Sequence, residues 1–194
     1  MIVKKTTKKN KSPKTSYNVH PLRTPQELTD FKWSLERYCS LRDSYLFTFG
    51  INTGLRISDI LPRKVKDVKN QTHIPLIQKK NNKFRLVKIS HFAHITNEYI
   101  KDKNDNDFLF PSRKGNTPIS VTQAYRVLVK AGEMIDIYSI GTHTMRKTFG
   151  YHHYKRNKDI ATLQEIFSHS TPEVTKRYIG ITQEELDDSI DFVL

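Results

Sequence analysis

The stretch FSHSTPEVTKRYIG, residues 167–180, sets His169 nine residues ahead of Tyr178. Between them Ser-Thr-Pro-Glu reads as a helix start, which puts His169 at the mouth of that helix and Tyr178 near its end. Tyr178 follows the polar run Thr175-Lys176-Arg177, the company of an exposed phenol. A phenol has a pKa of about 10, so it becomes a nucleophile at neutral pH only beside a base or a cationic field. Two other stretches supply such groups. In GTHTMRKTFG (141–150), His143 and Arg146 are three apart and share one face at a helix start. In TGLRISDIL (53–61), Arg56 follows a glycine at a helix junction, where amides and a guanidinium can converge on an anion. Asp59, three residues on, is placed to hold Arg56 or to cap locally. Finally, Lys79-Lys80-Asn81-Asn82-Lys83 forms a basic tip, and a lysine ammonium is a competent acid once its pKa is lowered. Cations, a base, an acid and a nucleophile together suit phosphoryl transfer without a metal. Taken singly, each has a plainer reading as a surface charge, a helix cap or a core aromatic.

The composition names the partner class. Lys and Arg total 33 against 20 Asp and Glu, a net charge of +13. Such an excess attracts polyanions, because each phosphate neutralised releases condensed counterions. Nucleic acid therefore leads as the partner class, ahead of an anionic membrane, for which no amphipathic basic helix stands out. Charge alone leaves a ribosomal or merely soluble basic protein equally open. The chain has 194 residues, 36% hydrophobic and 27% charged, which suits one domain with a real core. It contains neither the run of about 18–20 apolar residues that spans a bilayer nor an apolar segment of the secretory kind at its start. A single cysteine, Cys39, excludes an internal disulfide and a cysteine-based zinc cluster and points to the cytoplasm. His152 and His153 are adjacent rather than four apart, so they read as packing or DNA-facing groups and not as metal ligands.

The elements that must carry these residues are mostly helical. Residues 1–20 form a basic arm whose first 19 residues hold six lysines, Lys4, Lys5, Lys8 and Lys9 among them, and no acid. Thr24-Pro25-Gln26-Glu27 is a capping box opening a helix with Leu28, Phe31, Leu35 and Tyr38 on its core face. Further helices are predicted over 42–52, 57–61 (stopped by Pro62), 91–101, 120–132, 143–156, 159–167 and 172–179. Strands over 73–78 and 84–90 make a hairpin around the lysine tip, and the polar stretch 102–119 reads as a loop. A tail, 183–194, opens at a second capping box (Thr182 to Glu185) and spaces Leu186, Ile190 and Leu194 four apart. The fold class is α+β, mainly helical, with one small antiparallel sheet.

In this order, TGLRISDIL, a basic hairpin, HTMR and FSHS…Y resemble the catalytic domain of the tyrosine recombinase, or phage integrase, family, over residues 21–182. The resemblance implies that Arg56 and Arg146 clamp a DNA phosphate, with Asp59 as the acidic companion of Arg56. His143 and His169 join the clamp, and His143 is the candidate base. Tyr178 would be the nucleophile, leaving a 3′-phosphotyrosyl link and a free 5′-hydroxyl. Lys80 fits the family's hairpin lysine best, as the acid for the leaving oxygen, with Lys79 and Lys83 as rivals. Lys79, Lys83, Lys147 and the arm lysines would contact DNA. Expected partners are double-stranded DNA, further copies of the chain in a tetramer on DNA, and accessory DNA-bending proteins, with no cofactor, metal or membrane. The setting would be bacterial or phage-encoded, cytoplasmic and nucleoid-associated. Many relatives carry a core-binding domain ahead of the catalytic one; Met1 favours a natural single-domain member over an excised piece. The acidic tail would dock on a neighbouring protomer or on its own domain.

Four positions depart from the family pattern: Ser168 for glycine, Met145 for leucine, and Lys147 and Gly150 for histidine and alanine. Gly150 is expected to loosen its helix. Two rival readings share the chemistry or the fold, a type IB topoisomerase-like nicking-closing enzyme and a non-catalytic DNA-binding regulator.

Overall fold

Local capping chemistry sets most of the helix boundaries. The computed structural model describes residues 19–77, 84–181 and 190. The arm lysines Lys4, Lys5, Lys8 and Lys9, the tip lysines Lys79, Lys80 and Lys83, and tail residues Leu186 and Leu194 lie outside the described residues. Helix α1 (Pro25–Tyr38) starts at a reciprocal capping box between Thr24 and Glu27, with Pro25 at the first helical position. Ser40 with Asp43 does the same for α2 (Leu41–Thr53), and Ser120 with Gln123 for α5 (Val121–Glu133). The short α3 (Ile57–Ile60) precedes strands β1 (His73–Ile77) and β2 (Phe84–Lys88), which pair antiparallel from His73 opposite Lys88 to Ile77 opposite Phe84. A single 3-10 turn (Ser90–Phe92) leads into α4 (Ala93–Ile100), so the helix predicted from 91 starts tighter and later. After α5 come α6 (Thr142–Asn157), α7 (Ile160–Phe167) and α8 (Pro172–Ile179).

Helix α2 is the spine, packed on both sides. Tyr45, Leu46 and Phe49 join Ile74, Leu76, Val87, Phe92 and Tyr99 in the core shared with the hairpin and α4. Phe47 enters a second core with Phe31, Leu35, Leu128 and Met145, which binds α1, α5 and α6 together. The segment 102–119 connects α4 to α5 as expected but is not merely polar surface. Leu109, Phe110 and Ile119 are buried in the first core, and Phe108 bridges back to Lys64.

A third cluster, Leu163, Phe167 and Ile179, fastens α7 and α8 onto α6. Here the structure corrects the reading of Gly150. A β-carbon at that position would lie 2.6 Å from Ile179 Cγ2 and 2.7 Å from the Phe167 ring, both fully buried. The glycine therefore lets α8 approach α6 closely instead of loosening it. Gly150→Ala gains about 1 kcal/mol of helix propensity but overpacks a site with no free volume, which costs about 1–3 kcal/mol. We expect a lower denaturation midpoint in urea; an unchanged or raised midpoint would mean that α8 yields freely.

Candidate active site

The site forms where α2 ends, α6 begins and α7 turns into α8. Gly54 ends α2 in the left-handed region at φ 63°, where no β-carbon is tolerated cheaply, and the chain turns so that Arg56 stands at the N-cap of α3. His143 and Arg146 occupy the first turns of α6. Ser168 ends α7 at φ 53°, ψ 45°, so serine holds the left-handed turn that glycine would take without strain. Its amide bonds to Glu165 O and that of His169 to Gln164 O.

This cap leaves the last carbonyls of α7 to side chains, and guanidinium groups fill the need. Arg146, only 4% exposed, donates through Nη2 to Phe167 O at 3.0 Å and through Nη1 to Gly54 O at 2.5 Å. Its guanidinium also lies 4.1 Å over the Phe167 ring. Half-buried Arg56 donates to the same Phe167 O at 3.4 Å. One carbonyl at the negative end of a helix thus orients both arginines. Burial, with Arg56 and Arg85 adding to it and Tyr178 opposing, brings the Arg146 pKa down to about 10, so it stays charged at neutral pH.

The phenol of Tyr178 meets His143, with Oη 3.0 Å from Nδ1. The His169 ring stands edge-on to Tyr178 at 5.0 Å and the Phe167 ring at 5.5 Å, which fixes the phenol's direction. Burial raises the Tyr178 pKa, opposed by Arg146 and Arg56. His143 lies at the surface, yet desolvation, then Arg146, Lys147 and Arg56, lower its pKa. A protonated phenol therefore faces a neutral imidazole, the arrangement for proton transfer from Oη to Nδ1. His169 Nδ1 lies 3.1 Å from Thr175 Oγ1. That hydroxyl donates to Thr171 O, so it accepts from Nδ1, and His169 donates from Nε2 as well only when doubly protonated.

The structure thus gathers Arg56, His143, Arg146, His169 and Tyr178. Other sequence candidates stand differently. Asp59 forms no ion pair with Arg56 among the described residues; its charge instead helps to hold the Arg146 pKa up. The Lys147 ammonium donates to Val19 O at 2.6 Å and lies 5.4 Å over the Tyr178 ring, so it lends a cationic field to the phenol. Val19 and His20, assigned to the arm, are tied to the domain by that bond and by His20 N to Ser139 O. His152 bonds Leu22 O, and the His153 ring lies tilted against that of Phe149 with its Nδ1 buried and unpaired, so both are packing groups. No group of three or more His, Cys, Asp or Glu suited to a metal occurs among the described residues, and no helix among them is long and apolar enough to cross a membrane.

One residue of the site, Arg85, is not among the candidates that motifs and spacing single out. Arg85 on β2 donates to Ile166 O at 2.5 Å, beside the carbonyl that holds Arg56 and Arg146. A signal is there: Arg85 alternates with buried Val87 and Ile89, while Phe84, Leu86 and Lys88 face solvent. An arginine on the inward face of a strand needs a buried partner.

Known proteins share both sequence and fold. The model of the phage integrase family matches residues 25–185. The chain is 47% identical over 167 residues to the "probable integrase/recombinase YoeC" of Bacillus subtilis (strain 168), covering 86% of this chain and 92% of that protein. It is 30% identical over 154 residues to tyrosine recombinase XerD of Corynebacterium glutamicum, covering 75% of this chain and 50% of that one. It thus spans nearly all of the first relative and half of the second. Among solved structures, XerH recombinase bound to its palindromic difH substrate superposes with a TM-score of 0.68 at 22% identity, over 90% of this chain and 53% of that one. The catalytic domain of bacteriophage HP1 integrase does so with a TM-score of 0.59 at 20% identity, over 90% and 95% respectively. At these identities the structural likeness speaks for the fold.

Proposed function

Because this chain belongs to the phage integrase family, we propose that it is a site-specific recombinase cutting and rejoining double-stranded DNA through a 3′-phosphotyrosyl bond at Tyr178. The observation that carries the reading is the Tyr178 phenol bonded to His143 beside two arginines fixed on one carbonyl.

Arg56 and Arg146 take the nonbridging oxygens of the scissile phosphate and offset the charge that grows as phosphorus becomes five-coordinate. Oη of Tyr178 attacks in line and its proton passes to Nδ1 of His143. The bond from phosphorus to the 5′-oxygen breaks, and that oxygen takes a proton from a hairpin lysine, Lys80 first and Lys79 or Lys83 as alternatives. His169 hydrogen-bonds the phosphate as the imidazolium. The phosphotyrosyl ester keeps the energy of the bond it replaced, so the 5′-hydroxyl of another strand can reverse the step without ATP. Exchange between strands calls for several protomers on DNA, and the tail, with Leu186, Ile190 and Leu194, is the candidate contact between them. The arm lysines Lys4, Lys5, Lys8 and Lys9 track flanking phosphates.

Incubation in EDTA with nicked duplexes tiled from DNA flanking the gene tests this reading. It requires an adduct that survives SDS; salt-sensitive binding without one would assign the protein to regulation or architecture instead.

The proton route carries its own prediction. With its pKa lowered, His143 is neutral and able to accept at neutral pH, and on the acid side cleavage falls as it protonates. The acid limb of the single-turnover profile should therefore lie below the ordinary histidine value of about 6.5. A limb above that value, or one unchanged in His143→Ala, would take the base role from His143.

A further inference from the structure

Three guanidinium groups converge on two successive carbonyls at the end of α7: Arg85 on Ile166, Arg56 and Arg146 on Phe167. They come from three separate places, β2, the start of α3 and the first turns of α6. Among the described residues Arg85 has no carboxylate partner, so an inward cation on a strand is matched only by the negative end of a helix. The Ile166 and Phe167 carbonyls belong to successive residues of the last helical turn, where helical φ and ψ point both toward its C-terminal end. The turn begins immediately afterwards at Ser168, in a left-handed conformation whose cap bonds reach Glu165 O and Gln164 O and leave Ile166 O and Phe167 O to the guanidinium groups.

From this arrangement we infer that Arg85 is a positioning residue for the phosphate clamp. It fastens the last turn of α7 to the sheet, and that turn presents Phe167 O to Arg56 and Arg146. Arg85 touches no reacting atom. Without it that turn keeps its own cap bonds and its packing with Ile179 but loses its tie to the sheet, so Phe167 O and the clamp it aligns lose their aim. The inference rests on the recombinase reading above.

The test compares Arg85→Ala with wild type in single-turnover cleavage of two duplexes. One carries the ordinary scissile phosphodiester; the other carries a methylphosphonate there, in which a methyl group replaces a nonbridging oxygen and removes the charge. An arginine clamp matters for the charged phosphate and little for the neutral one. The variant should be slower by at least about tenfold on the phosphodiester and by less than about threefold on the methylphosphonate. DNA affinity should be unchanged within about threefold. Arg85→Lys, which keeps a charged donor, should recover most of the rate and carries the same two-substrate comparison if the alanine variant does not fold. An equal loss on both duplexes would make Arg85 a structural residue only, and no loss on either would remove it from the site. Wild type that fails to cut even the phosphodiester would overturn the recombinase reading itself, a result distinct from both.

Discussion

Tyr178→Phe should bind duplex DNA as tightly as wild type and form no covalent adduct with it. The substitution removes one oxygen and leaves the ring, so the edge contacts with His169 and Phe167 that seat α8 remain. It removes the hydrogen bond to His143, at the surface of the site, which contributes about 1 kcal/mol to stability at most. On this reading the affinity should come chiefly from phosphate contacts by Lys and Arg, which the phenol does not supply. On the proposed mechanism what disappears is the atom that attacks phosphorus, and His143 and His169, assigned there to move protons and hold charge, do not replace it. The adduct should fall to nothing while the salt dependence of binding stays the same. An adduct of undiminished yield would show that another side chain is the nucleophile.

The second large effect concerns the arginines, and they differ in how cleanly they can be tested. Arg146 is buried and bonds both Gly54 O and Phe167 O. Arg146→Ala leaves buried Gly54 O unmet, at about 1–3 kcal/mol, and Phe167 O with only the long Arg56 bond, so it should lose stability along with catalysis. Arg56 is half-buried with one long bond to Phe167 O, so Arg56→Ala should leave the melting temperature nearly unchanged. Removing one preorganised donor to developing charge costs about 10²–10³ in rate. Single-turnover cleavage by Arg56→Ala should drop by that factor with DNA affinity nearly intact. A loss smaller than about tenfold, or about 1.4 kcal/mol of barrier, in both variants would mean the clamp is misplaced.

Local signals make much of this molecule legible in its sequence. Thr24 with Glu27, Ser120 with Gln123, and Pro172 after Thr171 each specify a helix start within four residues, and the structure places helices there. His143 and Arg146 share a face because three residues make nearly one helical turn. The expectations that fail depend on what packs against what. Whether Gly150 weakens a helix or admits a neighbour depends on Ile179 and Phe167, which only the tertiary fold brings near. Leu109, Phe110 and Ile119 sit in a polar-looking segment with no period to mark them, yet fill the first core. Arg85 shows half its signal, an inward place on a strand, but its partner Ile166 lies 81 residues away. Closeness in sequence pairs Asp59 with Arg56, whereas Arg56 turns toward Phe167 O at the end of α7.

The covalent bond itself offers the most direct test. Wild-type protein would be trapped on a nicked duplex in EDTA, digested with protease and nuclease, and its nucleotide-bearing peptide sequenced by mass spectrometry. The expected result is a nucleotide joined through its 3′-phosphate to the phenol of Tyr178, with a free 5′-hydroxyl on the departing strand. A nucleotide on any other side chain, or one joined through a 5′-phosphate, would contradict it.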